Sequence, residues 1–242
     1  MRWNDRRVYC LLLAAVLPVA TNAAIADVMV LRAIGPSSAR YVAGRTMPDA
    51  TRIVLRTNDE LVLLDSRGTR TLQGPGSFVA GLASTATTSL ASLAGASTRR
   101  RARIGAVRNN LADSGPPRRP NIWFVDIAES GTACLTDTKK VTIWRGDSEV
   151  AGHSTMRAPG GATASLDWIK GQATQPWPAK LPVVPDGDYR ITGAGTPPAG
   201  TTIHLRLVGP APVDMPTLAG TLVAHACQGQ IDVLIATTAR QG

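Results

Sequence analysis

Apolar and polar residues alternate along much of this chain in short runs, each closed by glycine, proline or aspartate, the pattern of brief strands joined by tight turns. Val28 to Arg32 is one such run, broken at Gly35-Pro36, and Arg52-Ile53-Val54-Leu55-Arg56 follows a turn at Pro48-Asp49-Ala50. Glu60 to Asp65 reads as a buried strand, Ser66-Arg67-Gly68 as its turn and Thr69 to Leu72 as the return strand. Gly74-Pro75-Gly76 ends the pairing, because glycine takes unusual backbone angles and proline cannot donate to a ladder. The alternation resumes at Asn121, with strands predicted over 122–127, 140–145, 163–168, 188–191 and 201–208 and a strong turn at Pro185-Asp186-Gly187. Five such strands predict an antiparallel sandwich.

The period changes near the C-terminus. Asp214 can cap a helix that has Pro216 in its first turn, and Leu218, Leu222 and Ala226 then share a face. Beyond Gly229, Ile231, Leu234, Ile235 and Thr238 recur at helical spacing, so two short helices are expected to pack on the sandwich. The predicted fold class is mainly β: a small β unit over 27–79, then a β-sandwich-like domain over 121–242 with two C-terminal helices.

Two stretches belong to neither unit. From Gly81 to Thr98 nearly every residue is Ala, Ser, Thr, Gly or Leu, and Arg99-Arg100-Arg101-Ala102-Arg103 follows. With Pro116-Pro117-Arg118-Arg119-Pro120 held extended by its prolines, residues 80–120 read as a connector. The first 26 residues have the layout of a secretory signal: Arg2, Arg6 and Arg7, an apolar run from Cys10 to Ala20, and Ala24-Ile25-Ala26 as a cleavage site before Asp27. The run meets Thr21 and Asn22 well short of the roughly 20 apolar residues that span a bilayer. Cys10 precedes the apolar core, whereas a lipid-bearing cysteine would follow it. The expectation is cleavage after Ala26, a periplasmic location, and no integral membrane segment in the mature chain.

The stretch from Leu55 through Asn58, Asp65, Gly68 and Leu72 resembles the core repeat of FecR-type periplasmic domains, in which a polar turn, a strand, an Asp/Gly turn and a second strand recur. Asn58 stands where such turns often carry glycine, and one hairpin is clear where the family shows several. The whole chain is also similar to exported bacterial proteins that pair such a unit with a second β domain. The resemblance implies a unit that transmits a signal or scaffolds a partner without catalysis.

The formal charge of +9 invites a nucleic-acid reading until it is located. Residues 80–120 hold seven arginines against one aspartate, residues 27–79 carry +2, and residues 121–242 carry −1, so the charge sits in the connector. Arg99, Arg100, Arg101, Arg103 and Arg108 could meet an anionic envelope component, with a salt-dependent attraction. Outside the cytoplasm nucleic acid is a poor partner, and an envelope protein is the other partner class; a solvated linker is the plainer reading of the run.

In the mature chain only Cys134 and Cys227 remain, an even pair in an oxidising compartment, and a bridge is expected between them, pinning the helical end to the first hairpin of the second domain. Metal is disfavoured, since a site wants three or four ligands and His225 alone lies close to either cysteine. Cofactor and hydrolase signatures are absent: there is no G-x-S-x-G, H-E-x-x-H, Walker loop or G-x-G-x-x-G in context. Trp123, Trp144 and Trp168 lie in apolar strands and are expected in the core, while Trp177, between Pro176 and Pro178, is a candidate for ligand stacking. Two function classes follow: an exported binding or sensing-scaffold protein with no catalytic residues, or an envelope hydrolase using His153, His204 or His225.

Overall fold

A computed structural model describes residues 27–81 and 119–239. The predicted leader, most of the connector and Arg99, Arg100, Arg101, Arg103 and Arg108 lie outside the described residues. The fold is mainly β, with fourteen strands and two α-helices among the described residues.

The first six strands are β1 (Asp27–Ile34), β2 (Thr46–Pro48), β3 (Arg52–Leu55), β4 (Glu60–Asp65), β5 (Gly68–Gln73) and β6 (Gly76–Val79). They form a four-stranded sheet in the order β2-β1-β4-β5 and a separate β3-β6 ribbon. The predicted hairpin is β4-β5, closing at Asp65 opposite Gly68, which has φ +125°. Leu61 and Leu63 of β4 join Val28, Val30, Ile53 and Leu55 in a core between sheet and ribbon. Val62 and Leu64 point the other way into a second core, so the unbroken apolar run of β4 reflects burial on both faces. In β1 the pairing shifts between Val30 and Arg32; Val30 stays in the first core while Leu31 enters the second.

The later strands are β7 (Val125–Asp126), β8 (Gly131–Leu135), β9 (Thr142–Trp144), β10 (Gly152–Arg157), β11 (Thr163–Trp168), β12 (Thr174–Pro176), β13 (Asp188–Gly193) and β14 (Thr201–Leu207). A five-stranded sheet, β11-β10-β13-β14-β8, faces a three-stranded one, β12-β9-β7, across a core that includes Ile127, Ile143, Met156, Trp168, Tyr189, Ile191 and Leu205. The sandwich is mixed, since β8 runs parallel to β14 and β7 parallel to β9. Five strands escaped the sequence pattern: β2 and β6 in the first unit, where β6 starts at Gly76 and pairs with β3 although pairing was expected to end there, and β8, β10 and β12 here. In β10 the inward position between Gly152 and Met156 is Ser154, whose hydroxyl donates to Ala194 O at 2.6 Å and accepts from Trp168 Nε1 at 3.0 Å. A satisfied buried hydroxyl substitutes there for the apolar residue that alternation looks for. β8 alternates between two different cores, and β12 is only three residues long. The strand predicted over 122–127 shrinks to Val125–Asp126, because Asn121 folds the preceding segment into a turn by accepting from Trp123 N at 2.9 Å.

Helices α1 (Met215–Ala224) and α2 (Gln228–Thr238) form as predicted. Asp214 caps α1 by accepting from Thr217 N at 2.8 Å. Ala226 is not on the helical face: it is exposed in the turn between the helices with φ +54°. The hairpin forms the second core with strands from both β units: Leu218, Leu222, Ile231 and Leu234 pack with Leu31, Val62 and Leu64 on one side and Ile122 and Cys134 on the other. Arg32 pairs with Asp232, and Thr69 of β5 donates to Ile235 O at 3.1 Å. The C-terminal hairpin is therefore a layer shared by the two β units.

Candidate functional site

Cys134 is bonded to Cys227 with a Cα–Cα distance of 5.8 Å, which joins β8 to the start of α2. The sequence led to the expectation that this bridge pins the helical end to a hairpin; it holds an edge strand instead, since among the described residues the ladder partner of β8 is β14 alone. Gln230 occupies the open edge. Its Oε1 accepts from Cys134 N at 2.6 Å, while Nε2 donates to Cys134 O at 3.0 Å and to Ile122 O at 2.9 Å. The amide side chain thus does for Cys134 what a neighbouring strand would, and with its burial it closes an edge that would otherwise hold orphaned peptide groups.

The three histidines are spread apart and none meets a nucleophile. His153 Nδ1 lies 2.6 Å from Asp167 Oδ1, whose other partner is the Ser165 hydroxyl at 3.2 Å, so the serine contacts the acid and not the base. That order, with the carboxylate in the middle, lacks the serine–imidazole hydrogen bond that activates a nucleophile. His204 Nδ1 lies 2.8 Å from Asp188 Oδ1 on the outer face of the five-stranded sheet. At His225 the hydrogen bond runs through the backbone, its N–H donating to Thr221 O at 3.2 Å. Trp177 is half-buried and edge-on to Tyr189, with ring centroids 4.9 Å apart, and its Nε1 donates to Leu181 O at 2.8 Å. Its ring packs against the sandwich core and leaves part of its surface to solvent. Trp144 and Trp168 are buried as expected, and Trp123 packs against the helical core.

A shallow groove of 620 Å³ is lined by His225 with Pro216, Thr217 and Thr221, and a larger concavity lies at the end of the sandwich beside α2. A cleft of 760 Å³ is lined by Asp126, Glu129, Trp144, Asp147, Glu149 and Thr196, and it shares Asp126 and Glu129 with a smaller pocket of 210 Å³ that reaches Arg119 and Gln228. Arg119 is buried; its Nη1 donates to Phe124 O at 3.1 Å and its Nη2 lies 3.5 Å from Glu129 Oε2. Burial lowers its pKa against the raising influence of Asp126 and Glu129. Burial pushes the Asp126 carboxyl up to about 6, helped by the nearby Glu129 charge and opposed by the Ala128 N–H and Arg119. One guanidinium is therefore in contact with Glu129 and within electrostatic reach of Asp126. Gly229, in the first turn of α2, passes so close that a side chain there would strike Glu129 and Arg119.

Neither this cluster nor a second buried cation, Arg145, was visible in the sequence. Arg145 lies 4.8 Å over the Trp168 ring and donates to Gln172 O at 3.0 Å and Ile169 O at 3.2 Å. Arg119 looked like the last arginine of a basic connector, and only its position beside Pro120, where the alternation restarts, sets it apart. Among the described residues no group of three or more His, Cys, Asp or Glu could hold a metal ion, and no helix is long and apolar enough to cross a membrane. Compared with protein-family models, curated proteins and solved structures, the chain matches none.

Proposed function

We propose that this is an exported, non-catalytic binding or sensing-scaffold protein of the cell envelope, in which a FecR-like β unit and a sandwich are held in fixed relation by the C-terminal hairpin. The observation that carries the reading is the Cys134–Cys227 bond, which fastens the shared helical layer to the sandwich and agrees with the oxidising compartment the leader points to. A rigid junction between two β units suits a protein that presents surfaces to partners. The histidine geometry gives the hydrolase reading no support, since each imidazole hydrogen bond goes to a carboxylate.

The test is capture of the mature protein with its bound partners from its own envelope fraction, beside an esterase, peptidase and glycosidase substrate panel. The expected result is a reproducible envelope partner and no turnover. Turnover that disappears in His153→Ala, His204→Ala or His225→Ala would replace this reading with the hydrolase.

A further inference from the structure

The outer face of the five-stranded sheet sets two arginines side by side, and among the described residues no carboxylate makes an ion pair with either. The registers place Arg157 of β10 opposite Arg190 of β13, with Thr163 of β11 beyond Arg157 and Thr202 of β14 beyond Arg190. One straight row across four strands therefore reads Thr163, Arg157, Arg190, Thr202. The adjacent row reads Ser165, Thr155, Thr192. All seven side chains are exposed, and the opposite face of these strands is the sandwich core.

Like charges directly opposite in an antiparallel pair destabilise it, and here no carboxylate stands between them. Among the described residues Arg157 has no hydrogen-bond or ion-pair partner, and Arg190 donates through one nitrogen to Ala199 O at 2.7 Å. The acids of this face are engaged elsewhere: Asp167 with His153 and Ser165, Asp188 with His204, and Asp186 with Arg206 at 2.9 Å. Two neighbouring guanidinium forks are left to face solvent.

Resting on the reading of an exported binding protein, we propose that these two rows bind an acidic polysaccharide, with Arg157 and Arg190 taking carboxylates of neighbouring sugars and the five hydroxyls of Ser165, Thr155, Thr192, Thr163 and Thr202 meeting sugar hydroxyls. The guanidinium fork matches a carboxylate in two parallel hydrogen bonds. Hydroxyls both donate and accept, as a hydroxyl-rich partner requires. Four strands at about 4.8 Å spacing give a flat platform about 14 Å across, the scale of a few sugar units. The two rows hold no aromatic ring for base stacking and no apolar side chain to enter a bilayer, which disfavours nucleic acid and lipid as occupants.

The test titrates the mature chain with polygalacturonate oligosaccharide at low and high salt, with neutral dextran, phosphatidylglycerol vesicles and duplex DNA as the other arms. Polygalacturonate should bind and weaken as salt rises, and dextran should not bind. Affinity should fall about tenfold in Arg157→Ser or Arg190→Ser and further in the double variant. A triple replacement of Arg99, Arg100 and Arg101 by Ser should leave most of the binding. Because the substitution relieves like-charge repulsion, Arg157→Ser should melt no lower than the parent chain, which separates lost binding from lost folding. The proposal is overturned if the double variant binds as the parent does, if the triple variant alone abolishes binding, or if vesicles or DNA bind and polygalacturonate does not. Capture of an envelope partner with no polygalacturonate binding sinks this face alone. Release of new reducing ends from bound polygalacturonate sinks the non-catalytic reading while the face stands.

Discussion

Replacing Gln230 by Met keeps the length and volume of the side chain and removes its amide. Three buried peptide groups then lose their partner: the N–H and C=O of Cys134 and the C=O of Ile122. A buried group left unsatisfied costs about 1–3 kcal/mol, so the three together should cost about 3–5 kcal/mol, allowing for partial relaxation. Gln230 sits in the layer shared by both β units, and the loss should appear as one cooperative transition moved to lower denaturant. With a urea slope of about 2 kcal/mol per molar, the midpoint should fall by roughly 1.5–2.5 M at unchanged slope. Tryptophan fluorescence and far-ultraviolet circular dichroism should report the same shift. A midpoint within about 0.3 M of the parent would mean that the edge of β8 does not depend on this amide, and the description of Gln230 as a substitute strand would fail.

Three other outcomes follow from the same contacts. Cys134→Ala with Cys227→Ala opens a loop of sequence separation 93, and urea unfolding should show a loss of about 4–5 kcal/mol on the chain-entropy model. Asp126 has a folded pKa of about 6 against an ordinary 3.8, so the folded state holds its proton longer than the unfolded chain does; its contribution to stability should fall as pH rises from about 4 to 6 and level off above. Asp126→Asn should accordingly be more stable than the parent at pH 7.5, by about 1–3 kcal/mol, and near parity at pH 4 in parallel denaturant curves. Gly193→Ala forces a side chain onto the His153 carbonyl at a residue with φ +107°, and a thermal melt should show it destabilised by about 2 kcal/mol or more.

The elements legible in the sequence are those whose burial has a single period. The β4-β5 hairpin, β11, β14 and both helices follow their alternation or capping signals, and Asp214 and Pro216 mark the start of α1 where expected. The strands that were missed lack a clear single period for different reasons, β2 and β12 because they are three residues long. β8 sends Ala133 and Leu135 into the sandwich and Cys134 into the helical core, so both faces are buried and no polar face marks it. β10 hides its inward position behind the hydroxyl of Ser154. The pairing of Arg157 with Arg190 depends on a register between β10 and β13, strands more than thirty residues apart, and no local pattern encodes it. Arg119, Asp126 and Glu129 lie close in sequence, yet their chemistry depends on burial under Gly229, which only the folded helix supplies.

The central claim is that the chain works outside the cytoplasm as a disulfide-fastened scaffold, and the intact mass of the protein purified from its native cells tests it most directly. Cells are quenched and alkylated without reductant before the mass is taken. The account predicts a chain beginning at Asp27 that carries no alkyl group, with both remaining cysteines joined. A full-length chain alkylated at Cys10, Cys134 and Cys227 would contradict both the export and the bond on which the proposed function rests.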